Sequence, residues 1–311
     1  MKRKLTVRAP AKLNLFLQIT GQRDDGYHQL QTLFQLLDYG DTLEFEKADS
    51  AISLNPSIPG VPDEQNLIVR AAELLKNSAD YRGGARIALH KSLPMGGGLG
   101  GGSSNAASTL LALNALWGTG LSLGELADLG LQLGADVPVF VLGRSSLAEG
   151  IGEKLYPVEL EEAHYLVLKP PIEVSTPRIF QDPRLTRDSL PIRIAAFFRQ
   201  VENSSQTAID RVAEPLSEQA VEALTHWRKT GRNDCEPVVR ALHPEIDRCL
   251  DWLDERAEAR LTGTGSCIFA RFESQDQAEQ ALLERPADTL GFTCKGCNIS
   301  VAHQDIANWL S

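Results

Sequence analysis

The sequence predicts an α+β fold made of two domains. The chain has 311 residues, whereas one domain usually contains roughly 100–200. Segments with alternating apolar residues, typical of strands, are interspersed with segments whose apolar residues recur at helical spacing. In the second half, the order of strands and helices suits helices packed on one face of a sheet. We expect one domain over residues 1–156 and another over residues 157–311.

The first strand and the turn after it are marked by a period-two pattern. Apolar residues alternate with polar ones over residues 13–19, which places Lys12 and Asn14 side by side on one face. A turn rich in Gly and Asp, residues 21–26, leads to a strand region at 30–46. The sequence therefore predicts two β segments joined by a tight turn.

Two helices with a short strand between them follow in the first half. Residues 62–66 open a helix whose apolar side chains recur at helical spacing, with Asp63 as its cap. After a strand at 86–90, the apolar residues of 105–117 lie on most sides of the predicted helix. We expect that helix to be buried.

A further helix and strand complete the first half. Ser122 and Glu125 form a capping-box pattern, and Gly134 is placed to end the helix predicted over 125–133. A strand is predicted over 137–142. Asp136 then lies in the short loop between them.

The second half alternates strands with helices. Strands are predicted at residues 165–169, 268–272 and 293–301, and helices across 188–259 and at 275–284. The polar stretch 201–231 is interpreted as an elaboration of the helical layer. Cys294 and Cys297 have the spacing of a redox or zinc pair, but no second pair completes a zinc site, so we expect structural thiols.

Composition and charge exclude several classes of protein. The formal net charge of -10 argues against a protein that coats nucleic acid or an anionic membrane. No apolar run has the length of a signal peptide or a membrane span. We expect a cytoplasmic monomer or weak homodimer without a nucleic-acid or membrane partner.

A glycine run is the most informative stretch. Six of the seven residues from Gly96 to Gly102 are glycines, and a predicted buried helix begins near Ser104. Glycines let successive backbone N–H groups approach one anion, and a helix N-terminus adds its positive dipole end. Flexible linkers do not normally lead into a buried helix. The run lacks the Lys-Ser/Thr pair of a Walker A loop, so it predicts an ATP phosphate-binding loop of another kind.

This run resembles the second signature of the GHMP kinases, named for galactose, homoserine, mevalonate and phosphomevalonate kinases. Residues 9–15 resemble the first signature and residues 261–266 the third. The resemblance implies an N-terminal mixed α/β nucleotide-binding domain, a C-terminal ferredoxin-like α+β domain, and ATP with Mg²⁺. The ATP-binding residues it implies are Asn66, Pro94, Met95, Gly96, Gly97, Gly98, Leu99, Gly100, Gly101, Gly102, Ser103 and Ser104.

Over nearly the whole chain, the sequence resembles those GHMP kinases whose acceptor is a cytidine-diphosphate-linked methylerythritol of non-mevalonate isoprenoid synthesis. Residues 21–28, 33–35 and 134–138 carry this resemblance. It implies that Asp136 is the catalytic carboxylate and Lys12 its partner. The substrate-binding residues it implies are Asn14, Tyr27, His28, Lys91, Thr176 and Phe180.

These roles agree with the chemistry of phosphoryl transfer. The reaction needs a hydroxyl held in line with the γ-phosphate and a positive field around that group. Asp136 can accept the hydroxyl proton and Lys12 can supply the charge. Aromatic rings at Tyr27 and Phe180 suit stacking on a cytosine ring, whose edge His28 can bind. The sequence does not identify the residues that bind Mg²⁺. The hydroxyl groups of Ser103 and Ser104 are candidates.

Two alternatives stay open at the level of sequence. A GHMP kinase acting on another small alcohol, such as homoserine or mevalonate, would share the ATP site. A nucleotide-binding regulator would keep the fold without catalysis. The presence of Lys12 and Asp136 favours an enzyme over the regulator.

Overall fold

The computed structural model describes residues 4–192, 227 and 231–311. The strands of the first half are β1 Leu5–Gln22, β2 His28–Ala48, β3 Ile52–Asn55, β4 Gly84–His90, β5 Ser146–Glu149 and β6 Lys154–Pro157. Those of the second half are β7 His164–Lys169, β8 Ala259–Leu261, β9 Ile268–Phe272 and β10 Leu290–Cys297. The predicted domain boundary after residue 156 falls within β6, and it stays a prediction.

Helices lie between some of these strands and after the last one. In the first half they are α1 Leu67–Ser78, α2 Gly101–Trp117, α3 Leu123–Leu131 and α4 Val137–Leu142. In the second half they are α5 Thr176–Gln181, α6 Glu236–Leu242, α7 Pro244–Asp254, α8 Gln275–Leu283 and α9 Val301–Leu310. Together with the strands, they confirm the predicted α+β class.

One mixed sheet runs through both halves of the chain. Its strand order is β3-β4-β2-β10-β7-β9-β8, and β1 pairs with β2 as a long antiparallel hairpin. The halves join where Gly296 and Cys297 of β10 lie opposite Leu37 and Leu36 of β2. This pairing fixes the second half beside the hairpin.

The cores lie between the sheet and its helices. Helices α1 to α4 and α9 share one apolar cluster with β1, β2 and β4, and α6 and α7 share another with β7 to β9. The predicted burial of α2 is confirmed, with buried side chains from Ser104 to Leu113. It begins at Gly101, four residues before the predicted start, because the glycine run supplies its first turn.

The strand predicted over 137–142 is wrong, since these residues form α4. A short buried run of apolar residues does not distinguish strand from helix by periodicity. Pro138 fits the first turn of a helix, where a backbone N–H has no helical partner to lose. Asp136 is therefore the residue that precedes a helix, not a strand.

Several helix ends also differ from the prediction. The N-cap of α1 is Asn66, whose side chain accepts a hydrogen bond from the Ile68 backbone N–H at 2.9 Å, while Asp63 belongs to a short 3-10 helix. The Ser122 and Glu125 capping box is confirmed. The last strand was predicted over 293–301, but it ends at Cys297. Ser300 is instead the N-cap of α9, which begins at Val301.

Of the helices predicted across 188–259, the structure shows α6 and α7, whereas residues 188–192 are not helical and residue 259 begins β8. Residues 193–226 and 228–230 lie outside the described residues. The predicted elaboration at 201–231 falls almost entirely there. In the described part of the chain, no helix has the length and apolar character to cross a membrane.

The five cysteines are free thiols. Burial raises the pKa of Cys235, Cys267 and Cys297 to about 12, which keeps these thiols protonated and inert. No group of three or more metal-binding side chains occurs within the ranges that the structure describes.

Candidate active site

Two cavities meet at the glycine run. The larger has a volume of about 930 Å³ and is lined by β1, β2 and α5, and the smaller, about 360 Å³, lies along residues 94–103. Gly98 and Gly100 line both. Two different molecules bound in these cavities would face each other across these glycines.

Lys12 and Asp136 come together at this junction. Lys12 Nζ lies 3.4 Å from Asp136 Oδ2, donates to Asn14 Oδ1 at 2.6 Å, and donates to the Gly98 carbonyl oxygen at 2.9 Å. The lysine side chain is 3% exposed, whereas that of Asp136 is 35% exposed. A fixed, buried cation therefore stands beside a carboxylate that a ligand can reach.

The local backbone explains how Lys12 is placed. The pairing of β1 with β2 shifts register between Pro10 and Lys12, as at a β-bulge, and the Lys12 backbone N–H bonds to the Leu99 carbonyl oxygen at 3.0 Å. A Cβ atom at Gly100 would collide with the Phe140 ring and come within 3.3 Å of the Lys12 side chain. The predicted common face of Lys12 and Asn14 is confirmed by the contact between their side chains.

The third glycine segment, residues 261–266, packs directly on the glycine run. Thr262 Oγ1 accepts from the Asn14 backbone N–H at 3.0 Å and lies 3.3 Å from the Gly98 carbonyl oxygen. A Cβ atom at Gly98 would collide with the Thr262 carbonyl oxygen. The sequence pointed to this segment but did not single out Thr262. Thr32, which bonds Asn14 Nδ2 at 2.9 Å, carried no local signal at all.

The smaller cavity collects most of the predicted ATP-binding residues. Pro94 to Ser103 and Asn66 line it, and Ser104 is buried on the first turns of α2 behind them. Among the described residues, Asn66 Nδ2, Ser104 Oγ and Asn105 Oδ1 are buried without a hydrogen-bond partner. Buried polar atoms are normally satisfied, so these atoms suit a polar ligand such as a nucleotide.

Asp41 anchors the segment that leads into the glycine run. Its buried carboxylate accepts hydrogen bonds from the backbone N–H groups of Ser92 and Leu93, both at 2.8 Å, and from Asn105 Nδ2 at 2.9 Å. It also accepts from Lys91 Nζ at 2.8 Å. The sequence alone gave Asp41 no role, because its partners lie 50 or more residues away.

Lys91 does not line the larger cavity with the other predicted substrate residues. The Asp41 carboxylate and the Leu93 carbonyl oxygen, at 2.7 Å, hold its ammonium beneath the glycine run. Lys91 thus lines the smaller cavity, whereas the other predicted substrate residues line the larger one. Its placement separates it from the acceptor set.

The remaining predicted substrate residues gather in the larger cavity. Asn14, Tyr27, His28, Thr176 and Phe180 all line it. The His28 ring stacks on the Phe180 ring with centroids 4.9 Å apart, and Tyr27 is 61% exposed at the rim. Thr176 Oγ1 lies 2.8 Å from Thr264 Oγ1, which joins α5 to the third glycine segment. The cavity thus offers aromatic faces together with hydroxyl and amide groups.

Arg187 is a residue of this cavity that the sequence analysis missed. Its Nε donates to His28 Nε2 at 3.2 Å. Burial, and then the charge of Arg187, lower the pKa of His28 below its ordinary value of 6.5, so the ring is neutral at pH 7. No motif surrounds Arg187, and only the folded chain brings it to a residue 159 positions away.

Comparison with family models and curated relatives agrees with this arrangement. Residues 66–144 match the model of the GHMP kinases N terminal domain, and residues 207–287 match that of the GHMP kinases C terminal domain. A relative from Hahella chejuensis named 4-diphosphocytidyl-2-C-methyl-D-erythritol kinase is 49% identical, covering 98% of this chain and 97% of its own length. One of the same name from Nitrosococcus oceani is 49% identical, covering 94% and 95%.

One solved structure gives the same family and another gives the same fold. A crystal structure of 4-(cytidine 5'-diphospho)-2C-methyl-D-erythritol kinase has a TM-score of 0.74 at 32% identity, covering 94% of this chain and 98% of that one. Homoserine kinase from Cytophaga hutchinsonii has a TM-score of 0.65 at 18% identity, with 96% of each chain covered, which shows the shared fold alone. The chain therefore has the predicted GHMP kinase fold and belongs, among the GHMP kinases, to the 4-diphosphocytidyl-2-C-methyl-D-erythritol kinase family.

Proposed function

We propose that this protein transfers the γ-phosphoryl group of ATP to the 2-hydroxyl of 4-diphosphocytidyl-2-C-methyl-D-erythritol. The products are the 2-phosphate and ADP, and the reaction belongs to the non-mevalonate supply of isoprenoid precursors. The observation that carries the proposal is the 3.4 Å contact between Lys12 and Asp136 at the junction of two cavities. Relatives that are 49% identical over nearly the whole chain bear the name of this kinase.

Asp136 and Lys12 have distinct roles in the proposed transfer. The carboxylate of Asp136 is half-exposed to the larger cavity, so it orients the acceptor hydroxyl and takes its proton as the oxygen bonds to phosphorus. The bond between the γ-phosphorus and the oxygen that bridges it to the β-phosphate breaks, and ADP leaves. Lys12, held by Asn14 and Gly98, supplies fixed positive charge where negative charge is transferred.

ATP occupies the smaller cavity in this proposal. The glycine run and the N-terminus of α2 provide backbone N–H groups for the phosphates, and Asn66 Nδ2 offers a donor without a partner among the described residues. The γ-phosphate then lies near Gly98 and Gly100, the glycines shared with the larger cavity. Lys91 belongs to this nucleotide side.

Mg²⁺ is the proposed companion of ATP. Magnesium usually keeps several waters and binds through substrate phosphates with few protein ligands. The unpartnered, buried Ser104 hydroxyl beside the glycine run fits that limited role, with Ser103 next to it on the cavity wall. Bound there, the ion would neutralise part of the triphosphate charge.

The acceptor occupies the larger cavity with its cytidine end toward α5. Tyr27 and Phe180 offer ring faces for the base, and His28 offers an edge for hydrogen bonding. Asn14 and Thr176 line the path from this end to Asp136. The volume of about 930 Å³ suits a ligand much larger than homoserine or mevalonate.

Both cavities are built from a single chain, so we propose that it acts as a monomer or weak homodimer. Its net charge of -10 disfavours nucleic acid or an anionic membrane as a partner, and we propose a cytoplasmic location.

An acceptor panel tests the proposed function. Purified protein with Mg-ATP is incubated separately with the cytidylated methylerythritol, homoserine and mevalonate, and ADP formation is measured. We expect turnover with the first compound and none above background with the others. Turnover of homoserine or mevalonate instead would favour another GHMP kinase, and no ADP with any acceptor would favour a nucleotide-binding regulator.

A further inference from the structure

The guanidinium of Arg187 is fixed by four hydrogen bonds. Nη1 donates to the Leu185 carbonyl oxygen at 3.0 Å, and Nη2 donates to those of Phe180 and Asp182 at 2.7 and 3.0 Å. The Nε–H is left to face His28 Nε2 at 3.2 Å. The end of α5 and the loop after it therefore present one N–H group to His28 in a set direction.

This contact determines where the His28 ring carries its proton. An arginine side chain only donates hydrogen bonds, so His28 Nε2 must be the acceptor. A neutral imidazole with a lone pair on Nε2 has its proton on Nδ1. A doubly protonated ring would set two N–H groups and two positive charges against each other, so the ring stays neutral beside Arg187.

The opposite edge of the ring remains for a ligand. Within residues 4–192, 227 and 231–311, no hydrogen-bond partner occupies His28 Nδ1. The ring lines the larger cavity and is stacked on Phe180, which limits its rotation. In this tautomer it offers a single hydrogen-bond donor, whereas the other tautomer would offer an acceptor at the same edge.

We infer that Arg187 is a positioning residue that holds His28 in the Nδ1–H tautomer, so that the ring donates to an acceptor atom of the bound base. The inference rests on the proposed function, in which the cytidine end of the acceptor lies against His28. A cytosine ring carries such acceptor atoms in its unprotonated ring nitrogen and its carbonyl oxygen. Arg187 thereby contributes to recognition without touching the base.

The tautomer can be observed without any turnover. Protein labelled with ¹⁵N-histidine gives distinct shifts for protonated and unprotonated ring nitrogens, and the spectrum of His28→Gln assigns the His28 signals. We expect Nδ1 protonated in the otherwise unchanged protein at pH 7, and loss of that preference in Arg187→Met. Arg184→Met is the matched control, because Arg184 pairs with Asp182 on the exposed surface of the same loop. Protonation at Nε2 in the unchanged protein would overturn the inference, whether or not the variants fold.

Kinetics test the consequence for recognition. We expect Arg187→Met to raise the KM for the cytidylated acceptor about tenfold, the effect of one lost hydrogen bond, with kcat and the KM for ATP nearly unchanged. In the His28→Gln background the same substitution should have little further effect, because both act through one contact. An equal rise in both backgrounds would contradict the inference.

The two readouts separate the inference from the proposed function. If the cytidylated acceptor is not a substrate but the Nδ1–H tautomer is seen and lost with Arg187, the proposed function fails alone. If the acceptor is turned over but the tautomer is Nε2–H, the inference about Arg187 fails alone. Arg187→Lys, which keeps the charge and a donor, should recover part of the acceptor affinity.

Discussion

At the scale of single residues, the buried ammonium of Lys12 shows how the site is prepared before substrates bind. A buried charge is costly unless it is paired and hydrogen-bonded. Lys12 has the Asn14 amide oxygen, the Gly98 carbonyl oxygen and the Asp136 carboxylate within 3.4 Å. Its position is therefore set by the fold and does not depend on the acceptor.

A substitution at Tyr27 can test binding of the acceptor without changing the stability of the fold. Its ring is 61% exposed, so Tyr27→Ala should leave the free energy of unfolding nearly unchanged. If the ring stacks on the cytosine base, the substitution should raise the KM for the acceptor by about tenfold or more, because stacking on a base contributes roughly 1–3 kcal/mol. The KM for ATP should not change.

Steady-state kinetics with each substrate varied in turn would check this expectation. Tyr27→Phe is the matched control, since it retains the ring and should behave like the unchanged protein. An unaltered acceptor KM in Tyr27→Ala would remove Tyr27 from the acceptor site.

At the scale of elements, Asp41 ties the glycine run to the sheet. It lies on β2 and bonds the segment after β4, residues 91–93, as well as Asn105 of α2. Asp41→Asn replaces a carboxylate that accepts four hydrogen bonds by a neutral amide, so the Lys91 ammonium loses its ion pair and keeps only the Leu93 carbonyl oxygen of its present partners. We expect the free energy of unfolding to fall by about 2–4 kcal/mol and the KM for ATP to rise.

Urea unfolding and ATP-dependent kinetics measure these two effects. Asp305→Asn serves as the comparison, because Asp305 pairs with Arg8 at the surface, away from both cavities. If Asp41→Asn bound ATP normally and lost no more stability than Asp305→Asn, Asp41 would have no anchoring role.

Helix α9 contributes a pH-dependent contact to the first half. The partly buried His303 ring lies with Nε2 3.0 Å from the Val141 carbonyl oxygen of α4, and its removal from solvent lowers the pKa of His303 below its ordinary value of 6.5. The unfolded chain therefore takes up a proton first as the pH falls. The stability gained from the neutral ring is fully present above about pH 6.5 and is lost as the pH falls through the lower folded pKa.

Unfolding free energies measured from about pH 8 to about pH 5 should decline more steeply for the unchanged protein than for His303→Gln. Glutamine can still donate to the Val141 carbonyl oxygen but does not titrate. Equal pH dependence in the two proteins would show that His303 is not the responsible group.

Elements could be predicted from the sequence where the residues that define them are neighbours along the chain. The glycine run, the capping box at Ser122 and the shared face of Lys12 and Asn14 follow from neighbouring residues, and sequence patterns identified them. Helix α4 was predicted as a strand because its short apolar run has no diagnostic period.

The sequence could not reveal contacts between distant segments. Asp41 and Arg187 have hydrogen-bond partners 50 and 159 residues away along the chain. For the same reason the sequence did not show that Lys91 lines the smaller cavity, and its predicted role toward the acceptor stays a prediction. Only the pairing of strands and the packing of α5 show which cavity each side chain enters.

At the scale of the whole molecule, the continuous sheet brings together pieces from both halves of the chain. The pairing of β10 with β2 is reinforced by Gln35, whose Nε2 donates to the Cys297 carbonyl oxygen at 3.0 Å. It places the third glycine segment on the glycine run, so that Thr262 contacts Asn14 and Gly98. The first half therefore supplies Gly98 and Gly100, which line both cavities, and the second half adds Gly263 and Thr264 to the wall of the larger one.

The most direct test of this account is a single-turnover measurement on Asp136→Asn. Asp136 is half-exposed and its removal leaves the glycine run intact, so ATP affinity should stay within about threefold of the unchanged value. With Mg-ATP and the cytidylated methylerythritol, the rate of phosphoryl transfer should fall by about a hundredfold or more, the usual contribution of a positioned base. Transfer at nearly the unchanged rate, with ATP bound normally, would contradict the claim that Asp136 and Lys12 act together where the two cavities meet.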